Sequence, residues 1–497
     1  MVSDQLSSLP DDILHSILHD LPLRDIIRTS VVSHRFAKMW RDALATSPVL
    51  DFTDCDFVSG SSQTPARVVA TIERYLQRHF EKGAPLYVLR VVLDGTLLGG
   101  VGQDVVRWVV SVVARGAREV EVDLTPIRRD GVAVQQDADN NEIMFLVLPV
   151  NLFVTRNSLV RLALDRFSLR TVPASAVGLT GLQSLSLSRA DVTDEGIQTV
   201  LSNCHSLEFL SLRRCHLLRS VRIIGDKLRR LEIVSCLAVQ QLRVLAPALE
   251  SLVFHGDIVR NLDDNFIAAT DLGATPLLQD AYLSHIGFNE VFVINHDYCN
   301  FIRCISHART LTICSVGLMQ MFTEDGYDAN LNIDMTNVQE LQLLMASMDL
   351  INLVTMSGLF KLNPLPLLDR LFVRVFFKPM DDATTLLNTD LSHTMEIYFY
   401  NNNFVFGHLR LIKVVNLWGT MMELMMLDFL LSQAPVLEHV VLVATDEGGG
   451  PGDELLEAFQ DQVSMIRMAS RDVHITVCRP SEDRSENATH SRFYHEV

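Results

Sequence analysis

The stretches LQSLSLSRA (182–190), LEFLSLRRC (207–215) and LRRLEIVSC (228–236) share one spacing of apolar residues. Each has leucine at its first and fourth positions and leucine or isoleucine at its sixth. Alternation of this kind over a short run predicts a strand that turns one side toward a core. The same spacing starts again at Leu249, so these units begin 21 to 25 residues apart. The sequence therefore predicts a short strand that recurs at a nearly constant interval.

This spacing, L-x-x-L-x-L with a period of roughly 20–29 residues, is typical of leucine-rich repeats. One unit cannot bury its apolar side alone, so neighbouring units stack and the linking segments return over the other side. Cys215 and Cys236 occupy the Asn/Cys position of the repeat, so we expect both thiols to be structural. Further triplets of this kind flank the central units and begin at Leu86, Ala117, Leu159, Leu278, Ala308, Val338, Leu368, Leu409 and Leu437.

The composition restricts the classes of partner. The chain has 497 residues, 60 of them acidic and 42 basic, and this net charge of −18 disfavours binding to nucleic acid. The most apolar long run, 105–114, is interrupted by Arg107 and is shorter than the roughly 20 residues that a membrane span needs. The eight cysteines form no CxxC pair, which favours reduced thiols. We expect an intracellular protein of the cytoplasm and/or nucleus, without nucleic acid or membrane as a partner.

No motif for catalysis stands out in the sequence. The GxSxG, HExxH, P-loop and Rossmann patterns do not occur, and the histidines are dispersed. We therefore expect no catalytic residue, no cofactor and no metal site, and a protein that is not an enzyme.

The N-terminal stretch SSLPDDILHSILHDLPLRD (7–25) predicts an amphipathic helix. Ser8 and Asp11 have capping-box spacing, Pro10 suits the first turn, and Pro22 stops the helix. Apolar residues recur at helical spacing between these ends. Two more short helices follow within about 45 residues, a unit small enough to need a larger fold or a partner.

The run LPDDILHSILHDLPLRD (9–25), followed by TSVVSHRFAKMW (29–40), resembles an F-box. One departure is Phe36, where that family usually has tryptophan. The resemblance implies docking on a Skp-type linker protein and, through it, on a cullin of an SCF-type ubiquitin ligase. The matching positions at or near that interface are Leu9, Pro10, Ile13, Leu14, Ile17, Leu18, Leu21 and Pro22.

A second resemblance lies near the C-terminus. The segments HLRLIKV (408–414), Trp418-Gly419 and APVLE (434–438) are similar to the FBD module that ends many plant F-box/LRR proteins. The two resemblances together imply the plant F-box/LRR family with an FBD-like C-terminal region. The expected domains are an F-box (1–50), a helical linker (51–85), a leucine-rich-repeat array (86–405), FBD-like repeats (406–480) and a polar tail with little to pack (481–497).

The expected fold is α/β, with a three-helix F-box followed by a solenoid that has parallel strands on its concave side and helices or loops on its convex side. The resemblance implies a substrate-recognition adaptor that ties an unknown target protein to the ligase. A binding scaffold without a ligase role and a small-ligand co-receptor remain alternatives. Target-binding residues cannot be read from the sequence, although residues between the leucines are expected near the concave surface, such as Ser186, Ser211, Glu232 and Val253.

Overall fold

The computed structural model describes residues 9–20, 39, 42–43, 45–53, 64–125, 144–256, 270–272, 275–285, 296–323, 326–327, 333–363, 365–378, 404–446 and 452–494. The chain divides into two compact units. Unit 1 comprises Met1–Arg219 with Ile223–Leu228, and unit 2 comprises Ser220–Arg222 with Arg229–Val497.

Unit 1 contains a sheet in which every neighbouring pair of strands is parallel. Its strands, in spatial order, are β1 (Val49–Phe52), β2 (Val88–Val92), β3 (Glu119–Asp123), β5 (Arg161–Asp165), β7 (Ser184–Ser188) and β8 (Phe209–Arg213). A second pair of short parallel strands lies beside it: β4 (Leu146–Val147) and β6 (Phe167–Ser168).

Unit 2 repeats this parallel arrangement. Its main strands, in spatial order, are β10 (Arg230–Val234), β12 (Ser251–His255), β14 (Asp280–Ser284), β15 (Thr310–Cys314), β18 (Glu340–Met345), β19 (Arg370–Val375), β20 (Leu411–Leu417), β21 (His439–Ala444) and β22 (His474–Cys478). The shorter strands described in this unit are β11 (Gln241–Leu245), β13 (Thr270–Asp271), β16 (Phe322–Thr323) and β17 (Gly326–Tyr327). The residues of β9 (Ser220–Ile224) are divided between the two units.

The length of each repeat decides what links its strands. The 21-residue repeats contain a second short strand, such as β11, whereas longer repeats such as those that begin at Leu182 and Val338 carry a helix. Within the described residues, the α-helices with defined bounds are Asp11–Asp20, Pro65–Lys82, Leu98–Val113, Val150–Val154, Asp194–Asn203, His296–Ile305, Ser315–Met319, Leu350–Leu362, Met421–Leu431 and Asp453–Ser464. The predicted α/β fold with stacked repeats is thereby confirmed.

The leucine positions of the repeats form the core. Leu185, Leu231 and Leu341 are each at most 2% exposed. Phe254, at a leucine position of β12, lies 5.2 Å from Phe301 of the helix His296–Ile305, measured between ring centroids. The residues between the leucines point to the opposite side of each sheet, and we call that side the inter-leucine face.

A residue in the left-handed conformation follows several strands. Arg166, Arg189, Arg214 and Ser235 have φ between 45° and 60° and come directly after β5, β7, β8 and β10. This conformation turns the chain off the sheet, and the next residue points into the core. Cys215 and Cys236 occupy that next position and are at most 2% exposed, as predicted for structural thiols.

The segment Gly95–Val113 is long and apolar enough to cross a membrane, with a mean hydropathy of 1.2. Only one side of its helix is buried, and that side includes Val101, Val105 and Trp108. The other side carries Arg107, which pairs with Asp104 and with Glu73 of the helix Pro65–Lys82. This one-sided burial is typical of a helix that covers the core of a globular fold.

Candidate functional site

The first candidate surface is the helix Asp11–Asp20. Asp11 and Asp12 lie in its first turn, where the helix dipole favours negative charge. Leu14 is 1% exposed, whereas Ile13 is 50% and Ile17 is 38% exposed. Because Ile13 and Ile17 are four residues apart, they lie on one side of the helix and present an apolar strip to solvent.

The structure distinguishes the residue that packs against the fold from the residues that are exposed to a partner, which the sequence could not do. Leu14 packs inward, while Ile13 and Ile17 are available to a partner. Leu9 is half-buried and Pro10 is exposed. Leu18 belongs to the helix, but its side chain lies outside the described residues, as do Leu21, Pro22 and Phe36.

The second candidate surface is the inter-leucine face of unit 2. The strand register aligns one residue from each main strand across this face: Glu232, Val253, Tyr282, Thr312, Gln342, Phe372, Lys413, Val441 and Thr476. Glu232 and Val253, expected near a binding surface, are register partners there. Ser186 and Ser211 are register partners in unit 1. The row mixes acidic, aromatic, amide and basic side chains, unlike the uniform leucines on the other side.

Residues 479–494, which we call the C-terminal segment, lie on this row. The expectation of a polar tail with little to pack was wrong for the described part, 481–494. Lys413 is completely buried, and its Nζ lies 2.7 Å from Oδ2 of Asp483. The same Nζ donates to the backbone oxygen of Glu486 at 3.0 Å and to Oδ1 of Asn487 at 3.3 Å. A buried ammonium needs such partners, so this end of the segment is fixed by charge.

The middle of the segment is held by a carboxylate of β18. Glu340 is 1% exposed and accepts hydrogen bonds from the backbone nitrogen of Thr489 at 2.8 Å and from its Oγ1 at 2.7 Å. Arg370 completes the group, with its Nη2 2.8 Å from Oε2 of Glu340. Both oxygens of the buried carboxylate are therefore satisfied.

The last residues of the segment supply aromatic and basic side chains. Phe493 is fully buried against a cluster on the inter-leucine face that includes Phe372, 6.0 Å away between ring centroids. Its backbone oxygen accepts a hydrogen bond from Nη1 of Arg374 at 2.9 Å. Arg492 reaches the first strand of the unit, where its Nη2 lies 2.7 Å from Oε2 of Glu232.

His490 lies between these anchors. Its ring centroid is 5.0 Å from that of Tyr282. Burial lowers the pKa of His490 to about 4, the charge on Arg492 lowers it too, and Glu232 opposes both. The imidazole is therefore neutral at neutral pH. Its Nε2, 3.6 Å from Oδ1 of Asp280, makes a polar contact there and not an ion pair.

Asp483 has the opposite balance. Burial raises its pKa, but hydrogen bonds from Lys413 and Ser485 outweigh burial and hold the pKa below its ordinary value. At the other end of the face, burial lowers the pKa of His255 to about 4, with Arg492 and His285 acting in the same direction. The segment thus places a carboxylate next to the buried lysine and a neutral imidazole next to the aromatic cluster.

The FBD-like stretch forms a strand, a turn and a capped helix. Gly419 has φ 76° in the turn that follows β20. The side chain of Thr420 accepts from the backbone nitrogen of Glu423 at 3.3 Å. The Glu423 carboxylate in turn accepts from the nitrogens of Thr420 at 2.7 Å and Trp418 at 3.0 Å. This reciprocal pair explains why the helix begins at Met421, and it serves structure and not chemistry.

A metal site and a ligand cleft are two further kinds of site to consider among the described residues. Among those residues, no group of three or more His, Cys, Asp or Glu is arranged to hold a metal ion. A cleft of about 460 Å³ lies beside the C-terminal segment and is lined by Asp369, Arg370, Arg410, Glu438 and Glu486 among others. It is lined mainly by charges of both signs, several of them paired with one another.

Two family models match the chain. The F-box domain matches residues 6–44, and the LRR repeats of the FBD-associated F-box protein At5g56370 match residues 105–291. The Arabidopsis thaliana FBD-associated F-box protein At1g61320 is 22% identical over 446 residues, which is 88% of each chain. F-box/LRR-repeat protein 25 of the same plant is 28% identical and covers 50% of this chain and 85% of its own length.

These matches agree with the geometry at the N-terminus and in the first part of the repeat array. The F-box match contains the helix Asp11–Asp20 with its exposed isoleucines. The repeat match contains the main-sheet strands that follow the leucine spacing, from β3 to β14: β3, β5, β7, β8, β10, β12 and β14. The chain is therefore similar, in both matched regions, to F-box/leucine-rich-repeat proteins of the FBD-associated kind.

Proposed function

We propose that this chain is the substrate-recognition subunit of an SCF-type ubiquitin ligase. The F-box docks on a Skp-type linker and through it on a cullin, while the repeats hold a target protein. The observation that carries the proposal is the combination, in one chain, of a matched F-box with an exposed apolar strip and a matched repeat array.

The proposed mechanism is positional. Holding a target near a ubiquitin-charged conjugating enzyme raises its local concentration and orients its lysines. That task needs two binding surfaces and no catalytic side chain, so we propose that the chain itself is not an enzyme. The assembly would operate in the cytoplasm and/or the nucleus.

The apolar strip gives the proposal its physical basis. Ile13 and Ile17 leave large apolar side chains in water, and burying each of them would contribute about 1–2 kcal/mol to association. Leu9 and Pro10 precede them at the start of the helix, and Leu18, Leu21 and Pro22 are proposed to belong to the same interface. Leu14 supports the strip from behind.

The test is co-expression of the full chain with a Skp-family linker, followed by size-exclusion chromatography. We expect co-elution at one-to-one stoichiometry. The Ile17→Asp variant should lose co-elution, because a charge in the centre of an apolar interface is costly to desolvate. Ile224→Asp is the matched control, since Ile224 is 54% exposed and lies on β9, outside the F-box match.

Separate elution of linker and well-folded chain would contradict the ligase role. The scaffold alternative predicts that result, together with partners that lack linker and cullin subunits. The co-receptor alternative requires convergent buried polar groups around a ligand, and the charged cleft beside the C-terminal segment does not favour it.

A further inference from the structure

The C-terminal segment crosses the inter-leucine face of unit 2 in the way that a bound peptide crosses the surface of its receptor. It returns after β22 and contacts residues from Lys413 on β20 to Glu232 on β10, the first main strand of unit 2. Its contacts alternate between charge and aromatic packing along the way. Side chains of the segment meet side chains of the sheet, and no residue of the segment adds a strand to that sheet.

Unit 2 has a core that does not depend on this segment. The leucine positions, such as Leu341, Leu371 and Ile412, are fully buried on the other side of the sheet. Sheet and helices on that side already form the two packed layers that a stable domain needs. The segment is therefore an added layer on the inter-leucine face.

The outer side of the segment remains in water. Glu482, Arg484, Glu486 and Thr489 are exposed, and the described regular structure is one short 3-10 turn, Ser491–Tyr494. Terminal segments with few buried backbone hydrogen bonds open at a small fraction of the global unfolding free energy. Glu232, Glu340 and Lys413 would gain hydration if the segment left, which offsets part of the lost pairing.

The inter-leucine face beneath the C-terminal segment favours particular groups in a bound peptide. Glu232 suits an arginine, and the Glu340 carboxylate suits a backbone amide and an adjacent hydroxyl. The pocket that holds Phe493 is formed by apolar side chains that include Val253, Tyr282, Leu344 and Phe372. Lys413 suits a carboxylate. A buried aromatic anchor flanked by charged contacts is the usual source of binding energy in peptide recognition.

We infer that the inter-leucine face of unit 2 is the target-binding groove, and that the C-terminal segment occupies it as a displaceable stand-in for the target. The partner is a peptide segment of the target protein that presents an acidic residue, then a serine or threonine, then an arginine followed directly by an aromatic residue. This inference rests on the proposed function, because it names the chemistry of the target that such a subunit recruits.

Occupation of the groove by the chain's own segment sets a minimum affinity that a target peptide needs in order to bind. A tethered occupant acts at an effective concentration on the order of millimolar, so a weak or partial match cannot displace it. Only a segment that makes the arginine, aromatic and acidic contacts together competes. The range of target peptides that bind is thereby narrowed without any additional contact between target and groove.

The experiment measures competition in the full-length chain. The probe is a fluorescein-labelled synthetic peptide with the sequence of residues Glu482–Tyr494, and the readout is fluorescence anisotropy. The double variant R492A/F493A weakens the occupant at Glu232 and at the aromatic pocket. We expect it to bind the probe at least about tenfold more tightly than the wild-type chain does. A probe carrying Phe493→Ala should lose binding to the double variant.

Arg484→Ala is the matched control. Arg484 lies in the same segment, is exposed, and donates from its Nη1 to the backbone oxygen of its neighbour Asp483. Its replacement should leave probe binding as in the wild type. The proposal is wrong if a double variant that melts like the wild type binds no probe.

Hydrogen exchange on the unmodified chain decides the matter if the double variant does not fold. The amides of Thr489 and Phe493 donate to Glu340 and to the backbone of His490. We expect them to exchange at least tenfold faster than the strand amide of Leu371, because they open locally. Equal protection would show that the segment is part of the core and would overturn the inference. Neither readout involves the linker, so a failure here is distinct from a failure of the ligase role.

Discussion

Arg189 has a backbone conformation that residues other than glycine seldom adopt, and its side chain makes contacts that a glycine could not make. The backbone φ of Arg189 is 45°, a conformation that costs about 1 kcal/mol. In this conformation the guanidinium pairs with the carboxylate of Asp165. Nε of Arg189 donates to Oδ1 of Asp165 at 2.9 Å, and both side chains are at most 10% exposed. Asp165 also accepts from the backbone nitrogen of Leu124 at 2.9 Å, so the pair joins three repeats.

Replacing Arg189 by glycine separates these two effects. Arg189→Gly accepts the positive φ but leaves the Asp165 carboxylate buried without its cation, so we expect a loss of about 3 kcal/mol in the free energy of unfolding. Arg214→Gly is the matched control, because Arg214 has φ 52° and is exposed. We expect it to change stability by less than about 0.5 kcal/mol. Urea denaturation measures both, and equal effects would contradict the role assigned to the pair.

His490 makes the stability of unit 2 depend on pH. Its pKa is about 4 in the folded chain and near 6.5 when unfolded. Between these values the unfolded chain binds more protons, so stability is complete above pH 6.5 and is lost as the pH falls toward 4. Asp280, Arg492, Glu232 and Tyr282 face the imidazole. Burial lowers its pKa most, Arg492 lowers it further, and Glu232 raises it.

His490→Gln should remove the part of this pH dependence that His490 contributes, while the part due to His255 remains. Between pH 7.5 and pH 5 we expect the wild-type chain to lose about 2 kcal/mol more than the variant does. His408→Gln, at an exposed histidine, is the control and should follow the wild type. Thermal melts at the two pH values give the comparison, and parallel losses in wild type and His490→Gln would exclude His490 as the cause.

At the scale of elements, the helix Met421–Leu431 depends on its capping box. Thr420→Ala removes the acceptor for the nitrogen of Glu423 and should cost about 1 kcal/mol. Glu423→Ala should cost more, about 2 kcal/mol, because the nitrogens of Trp418 and Thr420 both lose their acceptor. Thr420→Ser keeps the hydroxyl and should be nearly neutral. Denaturation midpoints rank the three variants, and a neutral Glu423→Ala would show that water replaces the carboxylate.

The strands were largely predictable because apolar spacing is a local property. Each predicted leucine triplet coincides with a strand of one of the sheets. β1 and β22 were missed because Ser47 and Asp472 stand where the first leucine of the triplet belongs. The first apolar position precedes the strand, so a polar residue there removes the sequence signal without removing the strand.

The contacts of the C-terminal segment were beyond the reach of the sequence, because they join residues far apart in the chain. The bond from Thr489 to Glu340 spans 149 residues, and that from Arg492 to Glu232 spans 260. One signal was present. Tyr282 and Phe372 are large aromatic residues at inter-leucine positions, and Phe493 with Tyr494 forms an aromatic pair in a segment that is otherwise polar. Apolar side chains in both places indicate surfaces that cover each other.

At the scale of the whole molecule, the two candidate surfaces belong to different compact units. The strip with Ile13 and Ile17 lies in unit 1, and the groove under the C-terminal segment lies in unit 2. Changes at independent sites usually have additive effects. In the proposed function, this arrangement would let the chain change its target without changing its attachment to the ligase.

The corresponding prediction tests each variant in the assay that was designed for the other surface. The Ile17→Asp chain, which should fail to bind the linker, should bind the labelled peptide as the wild type does, to within about twofold. The R492A/F493A chain, in which the groove is freed, should co-elute with the linker as the wild type does. Size-exclusion chromatography and fluorescence anisotropy on the same two preparations give all four values. If Ile17→Asp altered peptide binding, or if the double variant lost the linker, the two surfaces would be coupled, and target binding would then regulate attachment to the ligase.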